Sequence, residues 1–399
     1  MKKASDDFQV FVKPVGAACN LACDYCYYLK KGKLYPEELG FRMPEDLLEQ
    51  YIIQHISASF GPDIFFSWHG GEPTLAGLSY FQRIVELQRK HKPDNCRIVN
   101  GLQTNGTLLD HDWCRFLAAE NFVVGFSLDG PEELHSIYRH SSDGRSSFQE
   151  TINAYLLLKS HGIPCEILCV VNDENVKHPL TVYRYFKQLQ AEFITFLPLV
   201  EKQTLGIGQV SERTISATEF GEFLCVIFDE WKELDIGKIK IQIFEEALRK
   251  AFDLEHTLCI FKKTCGGVPV IEHNGDFYSC DHFADSQHLI GNIRETSLVE
   301  LLESPKQKAF GQAKLTTLPN YCLNCEVLSL CNGACPKDRF LTTPEGEAGL
   351  NYLCKGYKLF FKHCKPFVEE VTEVWRNSPI PNSSEAPLQP LPERERPGD

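Results

Sequence analysis

The sequence predicts an α/β protein: a partial (β/α)6 TIM-like barrel followed by a small cysteine-rich domain. From Phe8 to about Val200, short β-branched or aromatic runs alternate with longer amphipathic segments, the pattern of repeated βα units on a parallel sheet. There are six such units, two fewer than a closed barrel of this type, so the predicted barrel is open on one side. From Cys259 onward cysteines become dense, which marks a second region of different construction.

The strand candidates are Phe8–Lys13, Asp63–Trp68, Arg97–Gln103, Phe122–Ser127, Pro164–Val171 and Phe193–Leu199. Helices are predicted near Pro44–Ser59, Tyr80–His91, Asp112–Glu120, Phe148–His161 and Leu180–Gln190, each with apolar residues three and four apart. Residues 1–200 form the expected barrel. A polar connection and two helical stretches, Phe220–Trp231 and Ile243–Phe252, make 201–256 a bridge whose functional content is not visible. Residues 257–376 form the cysteine-rich domain. The tail, 377–399, is rich in Pro, Ser and charge and is expected to be disordered.

Composition narrows the function classes. The 399 residues are 43% hydrophobic, enough for a real core, and acidic residues outnumber basic ones 54 to 41. With no useful basic block, binding to nucleic acid through its phosphates is not expected. The start, Met1-Lys2-Lys3, is not followed by an apolar signal region, and no run approaches a bilayer span, so a cytoplasmic protein with no membrane partner is expected. Seventeen cysteines in that reducing setting point to metal or cluster binding rather than disulfides.

The loop after the first strand reads Cys19-Asn20-Leu21-Ala22-Cys23-Asp24-Tyr25-Cys26. Three thiolates on one tight loop can hold three corners of a four-iron cluster and leave the fourth iron open to a ligand. The alternative is part of a zinc site, although structural zinc takes four ligands. The Cys-x3-Cys-x2-Cys spacing, with Tyr25 before its last cysteine, resembles the signature of the radical S-adenosylmethionine enzymes. That resemblance implies a cluster whose open iron binds S-adenosylmethionine and cleaves it to a 5′-deoxyadenosyl radical.

Further motifs stand at equivalent strand ends. Gly70-Gly71-Glu72-Pro73 follows the second strand, and paired glycines let a ligand approach the backbone closely. The segment resembles the one with which the same family holds the methionine amino group. Gln103 and Asn105 after the third strand, and Ser127 at the end of the fourth, match positions of the family's polar contacts to the cofactor. Arg139 or Arg145, with Arg145 slightly better placed, is expected to pair with the methionine carboxylate, and Leu197 to pack against adenine.

The later cysteines make two sets of four. Cys322 to Cys335 reads Cys-x2-Cys-x5-Cys-x3-Cys, and Cys265 is joined to Cys280 as Cys-x9-Gly-x4-Cys. This resembles the SPASM extension of peptide-modifying radical enzymes. The resemblance implies two auxiliary four-iron clusters, one on Cys259, Cys265, Cys280 and Cys335 and the other on Cys322, Cys325, Cys331 and Cys354. Two zinc sites are the alternative that the residues alone leave open. With the N-terminal loop the total is three [4Fe-4S] clusters.

Gly275-Asp276-Phe277-Tyr278-Ser279-Cys280-Asp281-His282-Phe283, Cys331 to Phe340 and Leu350 to Cys354 look like the anaerobic sulfatase-maturating enzymes. The resemblance implies oxidation of a cysteine or serine to Cα-formylglycine in a sulfatase segment of the form Cys/Ser-x-Pro/Ala-x-Arg. It also implies an electron donor such as ferredoxin or flavodoxin, Asp281 as catalytic base and Tyr28 near the substrate. Rival readings are another SPASM-bearing peptide modifier, such as one forming thioether cross-links, and a zinc-bearing interaction protein without catalysis.

Overall fold

Alternation of packed and open positions defines the six strands at the centre of the fold. The computed structural model describes residues 3–35, 41–203 and 210–377. In it β1 (Phe11–Val12), β2 (Asp63–Trp68), β3 (Arg97–Thr104), β4 (Val123–Ser127), β5 (Cys165–Val171) and β6 (Phe193–Pro198) lie side by side in chain order, all parallel. Parallel neighbours need a crossover, supplied in turn by α1 (Glu45–Ala58), α2 (Leu78–His91), α3 (His111–Ala119), α4 (Phe148–Ser160) and α5 (Pro179–Gln188). Ile64, Phe66 and Trp68 of β2 and Phe126 of β4 are buried, and their rings meet Tyr51 of α1, Phe81 of α2 and Tyr155 of α4. The opposite face carries Phe65, Val123 and Leu197, which are 53%, 38% and 38% exposed. It also carries polar pairs such as Gln9–Ser67 at 2.9 Å and Gln103–Ser127 at 3.2 Å. A sheet packed on one face and open and polar on the other has room for a ligand.

The bridge adds α6 (Ala217–Leu234), β7 (Lys240–Ile241) beside β6, and α7 (Gln242–Arg249). Sequence suggested that the cysteine-rich region is an appendage, yet its first strands extend the barrel's own sheet. β8 (Val270–Ile271) pairs in parallel with β1, Phe11 opposite Val270 and Val12 opposite Ile271. β9 (Asp276–Tyr278) and β10 (Leu289–Asn292) follow antiparallel, giving the order β10-β9-β8-β1-β2-β3-β4-β5-β6-β7. Strands of two to four residues are too short to leave a readable period in the sequence. The result is that Cys280 and Asp281, just past β9, lie alongside the loop that follows β1.

Beyond β10 the long helices are α8 (Pro305–Thr316) and α9 (Cys354–Asn377). α9 crosses α6 where two glycines meet: a Cβ on Gly356 would stand 2.0 Å from the Ala217 carbonyl oxygen. The predicted tail lies outside the described residues except for Asn377, the last residue of α9. No helix among the described residues is long and apolar enough to cross a membrane.

The bridge also fixes the start of the cysteine-rich region. Glu246 of α7 is 1% exposed and accepts hydrogen bonds from the backbone N–H groups of Thr257 (3.0 Å) and Leu258 (2.7 Å) and from the Thr257 hydroxyl. The His256 ring lies 2.7 Å away from it and contacts the Ser329 carbonyl at 3.1 Å through its other nitrogen. Removing the carboxylate orphans buried donors immediately before Cys259. Glu246→Ala is therefore expected to cost about 3–5 kcal/mol of stability, read as an earlier unfolding midpoint in denaturant, and Glu246→Gln to cost less.

Candidate active site

The chain leaves β1 through Gly16, whose φ of +56° lets the turn form, and enters the three-cysteine loop. Two hydrogen bonds pin that loop to the segment after β4: Ala22 N–H to the His140 carbonyl (2.8 Å) and Asp24 N–H to the Tyr138 carbonyl (3.1 Å). Inside the loop Cys26 N–H reaches the Cys23 carbonyl at 3.0 Å. Leu21 N–H (3.4 Å) and the Asn105 side-chain amide (3.8 Å) point at the Cys19 sulfur. All three cysteines are free and half-buried. Burial above all pushes the Cys19 thiol up to about 12, and burial also raises Cys23, opposed by the Arg139 charge. Such thiols stay protonated until a metal or cluster takes the proton's place.

The glycine pair has a different use from the one expected. A Cβ on Gly71 would stand 2.0 Å from the Ala18 carbonyl oxygen and 2.5 Å from that of Ala17. The close approach is thus made by the chain's own cysteine loop, joined through Gly71 N–H to the Gly16 carbonyl (2.9 Å) and Glu72 N–H to the Ala18 carbonyl (2.8 Å). The Glu72 side chain is fully buried, and four donors surround it: Thr74 N–H (3.1 Å) and hydroxyl (2.6 Å), the Thr104 hydroxyl (2.8 Å) and Asn105 N–H (2.7 Å). It ties the end of β2 to the end of β3.

Gln103, Ser127 and Leu197 share the open face at the C-terminal ends of their strands. Asn105 is held by Asn20 (3.0 Å) and Thr107 (2.7 Å). Of the two arginines, Arg145 does not reach the site: its guanidinium is 77% exposed and pairs with Asp143 at 2.7 Å. Arg139 is 7% exposed and forks onto the buried Asp129 at 2.8 and 3.2 Å, over the Tyr25 ring. Asp129 also accepts from the Tyr25 hydroxyl and from Val170 N–H (2.8 Å). Tyr25 is accordingly 7% exposed and built into this triad. Arg145→Ala is expected to change stability by no more than about 0.5 kcal/mol, whereas Arg139→Gln strands a buried carboxylate and costs about 3–5 kcal/mol; parallel denaturant titrations compare the two.

Asp281 lies where the loop after β1 meets the end of β9. Its Oδ2 accepts from the Tyr27 hydroxyl at 2.8 Å and lies 3.8 Å from Lys13 Nζ; its Oδ1 is 3.6 Å from the Cys280 sulfur. Burial raises the acid's pKa, but His282, Lys13 and the Tyr27 hydroxyl together outweigh it and hold the carboxyl well below the usual range. Lys13 is 2% exposed and lies over the Tyr28 ring at 4.2 Å. Tyr28, expected to face a substrate, is 3% exposed and donates to Glu272 instead. Its neighbour Tyr27, 42% exposed, occupies the open side. Sequence reasoning missed Tyr27, Lys13, Asp129 and Glu272. A lysine ending an apolar strand was the signal for Lys13; the Tyr27-Tyr28 pair gave no sign of which ring turns inward.

The eight later cysteines fall into two groups, the division that the resemblance implied. Cys322, Cys325, Cys331 and Cys354 line one cavity, closed by Val327, Leu328 and Asn351. In the other set Cys259 neighbours Cys265, and both Cys280 and Cys335 feel Cys259. Burial first and Cys265 next push the Cys259 thiol up to about 11, and burial first and Asp338 next push the Cys335 thiol up to about 12. Among the described residues no three His, Cys, Asp or Glu side chains converge as the ligands of a single metal ion do. Four cysteines lining one cavity are the ligand set that a four-iron cluster takes, so Cys322, Cys325, Cys331 and Cys354 fit such a cluster.

Residues 14–186 match the model of the radical SAM superfamily, and residues 259–326 match the SPASM iron–sulfur cluster-binding domain. The chain is 42% identical to a serine-type anaerobic sulfatase-maturating enzyme of Bacteroides thetaiotaomicron over 385 residues, 93% of each chain. It is 33% identical to a cysteine-type anaerobic sulfatase-maturating enzyme of Clostridium perfringens over 363 residues, 90% of this chain and 96% of that one. A solved structure of native anSMEcpe with bound AdoMet and Kp18Cys peptide superimposes with a TM-score of 0.84 at 32% identity, covering 92% of this chain and 99% of that one.

Proposed function

Because this chain belongs to the anaerobic sulfatase-maturating enzymes of the radical SAM superfamily, we propose that its site oxidises a serine or cysteine in a sulfatase segment to Cα-formylglycine. The observation that carries the reading is the position of Asp281, joined to Tyr27 beside Cys26 and bonded in sequence to Cys280. One carboxylate thus touches both cysteine regions.

When bound, S-adenosylmethionine and the three clusters supply one-electron chemistry: a 5′-deoxyadenosyl radical that takes a Cβ hydrogen, and a sink for the electron the substrate then gives up. The chain's own residues do the rest. Cys19, Cys23 and Cys26 hold the first cluster; Cys259, Cys265, Cys280 and Cys335, and Cys322, Cys325, Cys331 and Cys354, hold the auxiliary ones. Carbonyls of the Gly70–Gly71 turn, the Gln103–Ser127 pair, Asn105 and Leu197 line the open face for the cofactor, and Arg139, paired with Asp129, holds Tyr25 in place behind the loop. Asp281 Oδ2 accepts the substrate's side-chain proton. A carboxylate held so firmly as an anion does not deprotonate a resting serine hydroxyl; it takes the proton as Cβ loses its hydrogen and the hydroxyl becomes acidic. Lys13 and the Tyr27 hydroxyl keep the carboxylate charged and aimed, and Tyr27 marks the side from which a peptide enters.

The reading places the enzyme in the cytoplasm under anaerobic conditions, served by a low-potential donor such as ferredoxin or flavodoxin. It is tested by incubating the anaerobically reconstituted protein with S-adenosylmethionine, a reductant and peptides bearing Ser-x-Ala-x-Arg or Cys-x-Pro-x-Arg. The expected product is the aldehyde, seen by mass spectrometry and trapped by a hydrazine. Cofactor cleavage with a cross-linked peptide and no aldehyde would assign the chain to another peptide modification.

A further inference from the structure

The link between the two auxiliary cysteine sets runs through a strained left-handed stretch of backbone. Asn332, Gly333 and Ala334 have φ of 45°, 70° and 50°, three consecutive left-handed residues of which only the middle one is glycine. They join Cys331, in the wall of one four-cysteine cavity, to Cys335 of the other set. One side chain clamps all three carbonyls. Arg339 donates from Nε to Gly333 O (2.8 Å) and from Nη2 to Asn332 O (2.9 Å) and Ala334 O (3.3 Å), while Nη1 reaches Lys314 O on α8 at 2.6 Å. From the opposite side the Asn332 amide donates to Phe261 O at 2.7 Å. A Cβ on Gly333 would stand 2.5 Å from Nη2, so the glycine makes room for the guanidinium as well as for the turn.

The charge is unusual too. Arg339 is half-buried, and among the described residues no carboxylate pairs with it. The cysteines that neighbour it come from both sets, Cys322 and Cys331 from one and Cys265 and Cys335 from the other. Lys314 differs in this respect. It is 1% exposed, donates to the carbonyls of Cys259 and Ile260 at 2.8 Å each, and the thiols beside it, Cys265, Cys259 and Cys335, all belong to one set.

We propose that Arg339 is a positioning residue shared by the two auxiliary clusters: its fork holds the strained 332–334 link at a fixed length, and its unneutralised charge favours the reduced form of both. The proposal rests on the reading of these cysteines as cluster ligands. A positive charge in a poorly solvated position stabilises an added electron, and one placed between two clusters keeps their potentials in step.

The test is an anaerobic redox titration of the reconstituted enzyme followed by electron paramagnetic resonance. In Arg339→Gln both auxiliary midpoints are expected to move to more negative potential, with the oxidised-to-reduced ratio at a fixed poise rising about tenfold, about 59 mV for a one-electron couple. Arg339→Lys, which keeps the charge without the fork, is expected to stay near the wild-type midpoints while its auxiliary signals broaden. Lys314→Gln is expected to move the midpoint of the Cys259 set alone. Full cluster content with unmoved midpoints in Arg339→Gln overturns the proposal by itself, as does an equal shift in Arg339→Lys. If Arg339→Gln loses its auxiliary iron, the Arg339→Lys midpoints decide the matter. Wild-type protein that takes up no auxiliary clusters overturns both this proposal and the functional reading.

Discussion

Replacing Asp281 by asparagine is expected to lower formylglycine formation by about 10²–10⁴-fold, while cluster iron and reductive cleavage of S-adenosylmethionine remain close to wild type. Asparagine keeps the shape of the side chain, and its amide oxygen still accepts the Tyr27 hydroxyl now 2.8 Å from Oδ2. What it cannot do is receive the substrate's proton. The substitution also removes the charge that Lys13 Nζ faces at 3.8 Å, and because Lys13 is 2% exposed, part of the loss appears as lower stability. Product and cofactor cleavage are therefore measured together by mass spectrometry and 5′-deoxyadenosine release on the same sample. Wild-type aldehyde yield in Asp281→Asn removes the base assignment. Loss of cofactor cleavage along with product would show that the residue supports the first cluster instead. Tyr27→Phe leaves the carboxylate and takes away only one donor to it, so its loss of turnover is expected to be smaller.

The βα units were legible because β2 to β6 and the five crossover helices are long enough to show their periods; β1, expected over Phe8–Lys13, pairs only at Phe11–Val12. Asp63–Trp68 is observed where it was predicted, and α1 to α5 each lie within about two residues of the expected ends. The cysteine spacing was legible for a different reason: ligand geometry forces fixed intervals regardless of the surrounding fold. Two things were not. β8, β9 and β10 are two to four residues long, and their pairing with β1 is a tertiary fact that no local pattern records. Without that pairing the sequence gives no reason for Asp281 to lie next to Tyr27, 254 residues away. Buried charge was hidden as well. Arg139 and Arg145 look alike in sequence, and only the fold shows one forked onto a buried Asp129 and the other pairing at the surface. Glu72 and the glycine pair were singled out as ligand contacts, but the residues they serve first are the chain's own, because a loop that must hold three thiols at fixed spacing needs its backbone held too.

That support is the basis for the second large expected effect: Gly71→Ala should empty the first cluster site and abolish cofactor cleavage, leaving the two auxiliary clusters in place. A Cβ there would stand 2.0 Å from Ala18 O and 2.5 Å from Ala17 O, distances that no real side chain keeps. Both obstacles are backbone atoms immediately before Cys19, so nothing flexible can move aside. Relief requires the loop to shift, and shifting it breaks the bonds from Gly71 N–H to Gly16 O and from Glu72 N–H to Ala18 O that set its height above the sheet. The Cys19 sulfur would then leave the amides of Leu21 and Asn105 that point at it. The later cysteines depend on other contacts, from Lys314, Glu246 and Arg339, so iron and sulfide should fall by roughly one cluster of three rather than vanish. Gly77→Ala is the control. It lies in the next turn with φ +88° and nothing within 4 Å of the added Cβ, so it carries only backbone strain of about 1–3 kcal/mol and should keep its full iron. If Gly71→Ala retains the first cluster and cleaves S-adenosylmethionine normally, the close approach of the two backbones is not what holds the loop. In that case the burden falls on the buried Glu72, which Glu72→Gln would then expose.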